Sequence, residues 1–581
     1  MRELIKQPIF GRRFLGHFWS LIGVYWRSPD APRGTLLLAG AVCLELGTVY
    51  ANLRLADAER RIMDAVQDKQ ATVFLAAVGL FAAVSAGFVL ASAYRIYLRQ
   101  LLEIRWRRGV TAYYVDHWMT ERALCQEKLH GGEVDNPDQR VAEDVRDFAA
   151  SALGLSLSLL GSLATLVSFG GLLWTLSGIW AVPLHGRHVH VPGFLLWVAL
   201  LYAGLSTWLT HVVGRRLVPL NFDRLRYEAD FRYGLMRFRD NVEVVTLSRG
   251  EALERRNALA RFEHVIRNWW QLIAAQRRLT VFTGVVGQAN GVVPLLVAAP
   301  AFFAGLITLG VIAQVRFAYG QVSGALNWFV NAYQEIARWR ANVERLSTFA
   351  EVIDATAKDL ERSDLRVVPV ETPVLRLVDL KLETSDGRVL IDGASAAVNA
   401  GERVVITGPS GAGKTTLLRA IAGIWPFGRG RIDVPAGVHT LFVPQWPYLP
   451  LGSLRTILSY PAPEGTFPDT RIHEVLRLLG LDHLTTRLDD TAQWDQQLSP
   501  HEQQRLAIAR VLLNEPEWVF LDKVTSSLDD EAEKRAYTLL AERLPRMTVI
   551  SVAQRPEVAA FHSRRWTIVP NPVGTASFEV A

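Results

Sequence analysis

Apolar stretches long enough to cross a lipid bilayer dominate the first 333 residues of the sequence. About 20 residues of helix span roughly 30 Å of hydrocarbon, where every backbone polar group must be satisfied within the protein. We count six such stretches: 34–53, 71–93, 150–176, 192–213, 280–305 and 307–333. The last two adjoin near Gly305, and Pro294 and Pro300 are expected to break the fifth. The pattern predicts a membrane domain of about six helices.

Basic residues between the stretches predict the orientation of this domain. The segments 99–148 and 215–278 are long, Arg-rich and helical in pattern, whereas the connection 178–191 is short and mildly charged. Because positive charge is retained on the cytoplasmic side, both long segments and both termini are expected there. The connection between the first two stretches, which carries Arg54, Arg60, Arg61 and Lys69, departs from that pattern. Residues 1–33 are basic and aromatic without a cleavage site, which favours an amphipathic segment on the membrane surface over a signal peptide.

Composition narrows the functional classes further. The net charge of +6 could suggest a nucleic-acid partner, but Arg-rich loops beside apolar spans account for it, so we expect no nucleic acid. The two cysteines, Cys43 and Cys125, provide neither a disulfide framework nor a cysteine metal site. His185, His188 and His190 cluster in one loop without a carboxylate or cysteine, so metal capture stays an alternative to a plain polar loop.

Beyond the apolar stretches the pattern becomes that of a soluble domain. Apolar strand patterns alternate with helical ones from residue 374 to the end, which is typical of an α/β unit on a mostly parallel sheet. We therefore divide the chain into 1–33 (amphipathic segment), 34–346 (membrane domain), 347–373 (linker) and 374–581 (nucleotide-binding domain).

Residues 408–415 read GPSGAGKT, the pattern of a phosphate-binding loop. A strand pattern at 403–407 precedes the loop and a helical pattern follows it, as this motif requires. Glycines allow backbone N–H groups to surround phosphate oxygens, a lysine neutralises their charge and a threonine hydroxyl can ligate Mg²⁺. The pattern predicts ATP and Mg²⁺ as cofactors. The predicted nucleotide-binding residues of the loop are Gly408, Ser410, Gly411, Gly413, Lys414, Thr415 and Thr416.

Motifs downstream of the loop complete the pattern of an ATPase. Asp522 ends an apolar strand pattern, which is the position from which a carboxylate reaches the metal in such ATPases. Gln445 follows another short strand pattern. Residues 498–503 (LSPHEQ) precede a helical pattern, and 527–529 read SLD. In this order the motifs resemble the ABC superfamily, which implies two ATP molecules held between two such domains and hence a dimer. The resemblance implies nucleotide contacts from Ser499, His501 and Asp529, metal ligation by Thr415, Gln445 and Asp522, and catalytic positions at Gln445, Lys523 and Gln554.

The membrane half narrows the resemblance. Three segments are similar to the SbmA/BacA-like membrane domain that is fused to an ABC ATPase. They are 136–140 (NPDQR) with the following Glu143, Asp144 and Phe148, then 231–251, and finally 301–346. Members with this fusion include a mycobacterial importer of hydrophilic compounds, and peroxisomal fatty-acyl half-transporters are more distant. The resemblance implies an exporter-type fold with a water-filled cavity, even where the family performs import.

Polar residues at membrane depth are candidates to line such a cavity, with hydrogen bonding between helices as the alternative. They are Glu45, Gln288, Asn290, Gln314, Arg316, Gln321, Asn327 and Asn331.

Three positions depart from the ABC pattern. Lys523 replaces the glutamate that orients the attacking water, Gln554 replaces the histidine that contacts the γ-phosphate, and His501 replaces a signature glycine. A lysine accepts a proton only if its pKa falls far below the ordinary value, so we expect impaired hydrolysis. No Tyr, Phe or Trp occurs between Val374 and Gly408 to stack on adenine.

These patterns predict a half-transporter in a bacterial cytoplasmic membrane that moves hydrophilic solutes or peptides, with uptake as the expected direction and a homodimer as the expected assembly. A hydrolysis-deficient half that gates or completes a heterodimer with an intact partner is the main alternative. Fatty-acyl transport is another alternative, although it would require a more apolar cavity than the polar residues in the spans suggest.

Overall fold

The computed structural model describes residues 12–120, 136–177, 182–184, 187–189, 191–553, 555–570 and 576–580. The chain forms two compact units, one of residues 1–114 and 137–348 and the other of residues 115–136 and 349–581. The first unit is helical and the second is a mixed α/β domain, which confirms the predicted fold class.

Helices, most of them long, build the first unit. They are α1 (Arg12–Trp26), α2 (Ala31–Gln67), α3 (Ala71–Thr120), α4 (Val145–Ser177), α5 (Phe194–Gly214), α6 (Leu217–Asp240), α7 (Val242–Leu247), α8 (Glu251–Phe303), α9 (Leu309–Leu326) and the first part of α10 (Trp328–Arg362). A short hairpin, β1 (Val182–Leu184) and β2 (Arg187–Val189), follows α4. Its predicted histidine cluster lies outside the residues whose side chains the structure describes.

Five helical segments in the described part of the chain are long and apolar enough to cross a membrane. They are Ala31–Gln67, Ala71–Met119, Pro137–Ser177, Phe194–Asp240 and Glu251–Phe303. The fifth continues through Pro294 and Pro300, so the expected break is wrong. Prolines are tolerated within membrane helices where neighbouring groups satisfy the freed backbone carbonyls.

The predicted sixth span, 307–333, is two helices. Helix α9 ends at Leu326, with Asn327 as its C-cap, and α10 begins at Trp328. Helix α9 lies between α2, α4, α5 and α8, and it buries Val315, Ala318 and Val322 in the apolar core of this unit. Helix α9 thus packs among the membrane helices, but it is not one of the five segments that are long and apolar enough to cross a membrane.

Some of the polar residues at membrane depth join neighbouring helices. Arg95 of α3 donates from Nη1 to Glu45 Oε2 of α2 at 2.7 Å, and Arg316 of α9 donates to Glu59 of α2 at 3.3 Å. Thr207 of α5 donates to Asn327 Oδ1 at 3.0 Å. For Glu45, Arg316 and Asn327 the structure therefore supports bonding between helices.

The residues that resemble the SbmA/BacA-like pattern anchor the start of α4. A π-helical turn, Arg140–Asp144, precedes this helix. The buried Asp144 carboxylate accepts hydrogen bonds from Arg345 Nε at 2.7 Å and Nη2 at 2.5 Å. Arg140 donates from Nη1 to the Arg345 carbonyl at 2.6 Å. This paired contact holds the beginning of α4 against α10 within the first unit.

Two sheets form the second unit. The strands of the larger sheet are β6 (Arg403–Thr407), β8 (Thr440–Val443), β11 (Trp518–Asp522), β12 (Thr548–Val552), β13 (Arg564–Pro570) and β14 (Ala576–Val580). Those of the smaller sheet are β3 (Leu365–Val370), β4 (Val374–Glu383), β5 (Val389–Asn399) and β7 (Gly428–Pro435), and β9 (Gly452–Ser453) pairs separately with β10 (Thr491–Ala492). The larger sheet has the order β14-β13-β6-β12-β11-β8 and is parallel except for β14, and the smaller has the order β3-β7-β4-β5.

The central strands of the larger sheet, β6, β11 and β12, are almost wholly buried, as expected of parallel strands with both faces covered. The helices of this unit are α11 (Lys414–Ile421), α12 (Leu454–Ser459), α13 (Asp469–Leu478), α14 (Trp494–Gln497), α15 (Pro500–Asn514) and α16 (Asp530–Arg543), with 3₁₀ turns at Asp482–Arg487 and Pro556–Phe561.

The interval predicted as a linker, 347–373, is regular structure for most of its length. Helix α10 continues to Arg362, and β3 then pairs in parallel with β7. Leu365 is buried in the apolar core beside the smaller sheet. Pairing with a strand some 65 residues later in the sequence, which the local pattern does not reveal, recruits this segment into the domain.

Candidate nucleotide-binding site

The loop between β6 and α11 has the backbone that the GPSGAGKT pattern requires. Gly408, Gly411 and Gly413 have φ angles of +144°, +82° and +93°, a region that side chains disfavour. A Cβ atom at Gly408 would also lie 2.6 Å from the Ile568 carbonyl oxygen. Ser410 and Gly411 are exposed at the surface of the loop, while Gly413 precedes the first turn of α11. The loop therefore presents its backbone at a helix N-terminus, where anions are stabilised.

Lys414 carries the positive charge of the loop. Its side chain is buried, and Nζ donates to the carbonyl oxygens of Gly408 and Pro409, both at 2.6 Å. Burial lowers the pKa of Lys414, the nearby charge of Lys523 lowers it further, and Asp522 opposes the shift. Since two ammonium groups and one carboxylate share this region, a phosphate group would relieve the repulsion between the lysines.

Thr415 and Asp522 meet beside the loop. Thr415 Oγ1 donates to Asp522 Oδ1 at 3.1 Å, although 107 residues separate them. Strands β6 and β11 are both parallel neighbours of β12, so their carboxyl ends reach the same edge of the sheet. A hydroxyl and a carboxylate are oxygen ligands of the kind that Mg²⁺ prefers, so these two residues fit the predicted metal. Thr416, next along α11, is half-buried.

Gln445 belongs to a hydrogen-bond network beyond Asp522. Its Nε2 donates to Ser526 Oγ at 3.2 Å. Gln504, fully buried in α15, donates to the Gln445 carbonyl at 3.3 Å and to Ser526 Oγ at 3.1 Å, and it accepts from Ser527 N at 2.8 Å. Sequence reasoning missed Gln504, although it directly follows the LSPHEQ motif. Its buried amide links the segment after β8, α15 and the loop after β11.

Lys523 occupies a fixed backbone position next to Asp522. Its φ is +50°, and its N–H donates to the Val552 carbonyl at 3.0 Å. Its carbonyl accepts from Ser526 N at 3.0 Å. The side chain thus starts from a constrained turn at the edge of the sheet where Asp522 and the loop lie.

Ser499, His501 and Asp529 stand at helix N-termini. Ser499 caps α15: its Oγ accepts from Glu502 N at 3.3 Å and its N–H donates to Glu502 Oε2 at 2.9 Å, which is a capping box. His501 is exposed in the first turn of that helix. Asp529 caps α16 by accepting from Ala532 N at 2.7 Å. In the described part of the chain, no hydrogen bond joins Ser499 or Asp529 to the loop. Gln554 lies outside the described residues.

A partly buried histidine follows the strand that precedes position 554. His562 Nε2 lies 2.9 Å from Ser551 Oγ, and Nδ1 lies 2.8 Å from the Val558 carbonyl oxygen. Burial lowers the pKa of His562, and the charge of Arg403 adds to this effect. The histidine therefore bridges β12 and the 3₁₀ turn that follows it, and its lowered pKa favours the neutral form.

Comparison with known proteins agrees with both halves of the structure. Residues 22–303 match the family model described as ABC transporter transmembrane region 2, and residues 391–526 match the one described as ABC transporter. The inner membrane ABC transporter ATP-binding protein YddA of Escherichia coli is 31% identical over 96% of this chain and 98% of its own length. ABC transporter D family member 2, chloroplastic, of Arabidopsis thaliana is 30% identical over 94% of this chain and 85% of its own. The lysosomal cobalamin transporter ABCD4 of Homo sapiens is 27% identical over 80% of each chain.

These matches confirm the resemblance to ABC proteins, while the narrower likeness to SbmA/BacA-like membrane domains stays a prediction. The apolar helices and the matched transmembrane region make the chain a multi-pass membrane protein. The chain has a membrane domain fused to an ATP-binding domain, and it aligns over nearly its full length with an ABC transporter protein. It therefore belongs to the ABC transporter family.

Proposed function

We propose that the chain is one half of a dimeric transporter that binds MgATP and moves hydrophilic solutes or peptides into a bacterial cell across the cytoplasmic membrane. The observation that carries this proposal is the convergence of Lys414, Thr415 and Asp522 at one sheet edge of a domain fused to membrane helices. Lys414 would hold phosphate oxygens, and Thr415 and Asp522 would hold Mg²⁺. Bound Mg²⁺ would neutralise phosphate charge, which is its general contribution to phosphoryl transfer.

The incomplete site on one chain supports the proposed dimer. The loop residues come together with Asp522, whereas Ser499 and His501 lie at the N-terminus of α15. Among the residues that the structure describes, no hydrogen bond joins Ser499 to the loop. In the ABC pattern those positions contact nucleotide held by a second copy. A two-fold dimer would supply two such composite sites.

A hydrophilic substrate and the uptake direction are supported by likeness and by composition. One relative carries the name of a cobalamin transporter, and another that of an inner membrane protein. Charged and amide side chains such as Glu45, Arg95 and Gln314 lie between the membrane helices, where a purely lipid-like substrate would require apolar walls. The narrower likeness to SbmA/BacA-like importers points the same way.

We also propose that hydrolysis is slow. Lys523 places an ammonium group beside Asp522 where the family has a carboxylate, and its charge depresses the pKa of Lys414. This same observation favours a second candidate function, a nucleotide-binding half that completes a heterodimer with a partner bearing the glutamate. In that case one of the two composite sites would retain a complete set of catalytic groups.

Transport by the purified chain in liposomes tests the proposal. We expect labelled cobalamin or a labelled hydrophilic peptide to cross the membrane only with MgATP, and the Lys414→Ala variant to be inactive. Mass photometry on the same preparation should show a dimer. A monomer that still transports would refute the dimer, and a dimer that binds ATP but transports only after a second half-transporter is added would establish the heterodimer.

A further inference from the structure

A cavity lined by both charged and apolar residues lies beside the first membrane helix in the helical unit. It has a volume of about 910 Å³ and is bounded by the turn between α1 and α2 and by the later part of α3. Its charged lining residues are Asp30, Arg33, Arg105 and Arg108. We call it the juxtamembrane cavity, because Arg33 directly precedes the apolar stretch that begins at residue 34.

The charges of the juxtamembrane cavity do not cancel. Arg105 Nη1 lies 3.2 Å from both carboxylate oxygens of Asp30, and Arg33 Nη1 lies 3.4 Å from one of them. Arg108 is exposed and makes no hydrogen bond or ion pair within the described part of the chain. Three arginines and one aspartate leave a net charge of two positive units. The site is therefore suited to an anion that carries several acceptor oxygens.

Two buried hydroxyl groups in the lining lack a partner among the described residues. Tyr25 is 1% exposed, and neither its Oη nor the Oγ of Ser28 has a hydrogen-bond partner in the described part of the chain. Buried hydroxyls are normally bonded, and an unmet one costs free energy. Gly34 allows the phenol to lie there, since a Cβ atom at that position would be 2.5 Å from Tyr25 Oη. These hydroxyls are donors for which the described part of the chain supplies no acceptor.

The apolar part of the lining distinguishes a lipid from a free anion. Leu101 and Ile104 line the cavity beside the arginines, and Ile104 is 55% exposed. An acyl chain could cover this surface while its headgroup meets the arginines, whereas inorganic phosphate would leave it uncovered. Arginines close to an apolar span are also where anionic headgroups are found.

We propose that the juxtamembrane cavity binds the phosphate of an anionic phospholipid, with Arg108, Arg105, Tyr25 and Ser28 as donors and the acyl chain along Leu101 and Ile104. The bound lipid would contact the α1–α2 turn and α3 at once and so stabilise their packing at the membrane boundary. The chemistry shared with free phosphate is recognition of phosphate oxygens, so the experiment must separate the two.

Native mass spectrometry of the full-length chain in detergent, titrated with dioleoyl phosphatidylglycerol, tests the site. Phosphatidylcholine with the same acyl chains is the neutral-headgroup comparison, and inorganic phosphate is the competitor. We expect saturable binding of phosphatidylglycerol, at least tenfold weaker binding of phosphatidylcholine and no displacement by millimolar phosphate. Equal binding of both lipids would overturn the proposal, and displacement by phosphate would reassign the site to a free anion.

Variants locate the binding within the cavity. Arg108→Gln and Tyr25→Phe should each weaken phosphatidylglycerol binding about tenfold, the loss of one charge-assisted hydrogen bond. The matched control is Arg107→Gln on the same helix, because Arg107 donates a hydrogen bond to the Ala142 carbonyl and does not line the cavity. Tyr25→Phe should also remove an unmet hydroxyl from the lipid-free protein, so its lipid-free melting temperature should not fall. Unchanged lipid affinity in both variants would refute the assignment.

Discussion

Replacing Lys523 by glutamate tests the proposed defect in the catalytic centre. The substitution keeps the backbone position, because the turn is held by the Lys523 N–H bond to Val552 and by the bond from Ser526 N to the Lys523 carbonyl, both at 3.0 Å. The φ of +50° disfavours lysine and glutamate alike, so little additional strain is expected. The change therefore alters chemistry at one point beside Asp522.

The expected acceleration follows from the groups that the change restores. A positioned general base contributes about 10² to 10⁴ in rate, equivalent to roughly 3 to 5 kcal/mol of activation free energy. His501 and Gln554 still depart from the family pattern in this variant, and groups that act together do not add independently. We therefore expect the lower end, an increase of about 100-fold in ATP turnover. Lys523→Glu should also raise the pKa of Lys414, because a repelling charge becomes an attracting one.

Phosphate release by the full-length chain in lipid, at saturating MgATP, measures the effect, with nucleotide affinity determined separately. Lys523→Gln is the matched control: it removes the positive charge without supplying a base, so we expect less than a tenth of the acceleration. Similar rates for Lys523→Gln and Lys523→Glu would assign the effect to charge alone. If the unmodified chain hydrolyses ATP as fast as Lys523→Glu, or as fast as the variant that also carries His501→Gly and Gln554→His, the inference of a defect is wrong.

Three further predictions concern binding and stability. Lys414→Ala should abolish ATP binding in calorimetry while Arg419→Ala, exposed on the same helix, should not; retained affinity in the former would exclude the loop. Ser499→Ala should lower the free energy of unfolding of the ATPase domain by about 1 kcal/mol in denaturant titrations, through loss of the cap on α15, and an unchanged value would contradict that role. Because the depressed pKa of His562 favours its neutral form in the folded state, stability should be complete above about pH 6.5 and fall as the pH drops towards the folded-state pKa. Melting curves from pH 7.5 to 5.5 should show this decline, and His562→Gln should flatten it; equal slopes would refute it.

Local patterns account for much of the protein. Apolar runs of about 20 residues predict membrane helices because the bilayer admits few other backbones, and most of the predicted runs lie within such helices. The GPSGAGKT motif predicted the backbone of its loop because positive φ angles demand glycine at Gly408 and Gly413. Asp522 could be placed near Thr415 because parallel strands end at one edge. Each of these predictions depends on neighbours in sequence or on a regular sheet.

Other features arise only where distant segments meet. The local pattern at 347–373 suggested a linker, yet β3 forms there because β7 offers it a partner and the core accepts Leu365. Gln504 becomes part of the site because burial forces its amide to find partners on two other segments. The juxtamembrane cavity depends on Asp30 meeting Arg105, 75 residues away, and on Tyr25 being buried where the described residues offer it no acceptor. Sequence alone determined which residues favour membrane, strand or phosphate loop; the tertiary structure decided which polar groups are buried together, because burial and hydrogen-bond satisfaction depend on what the rest of the chain brings into contact.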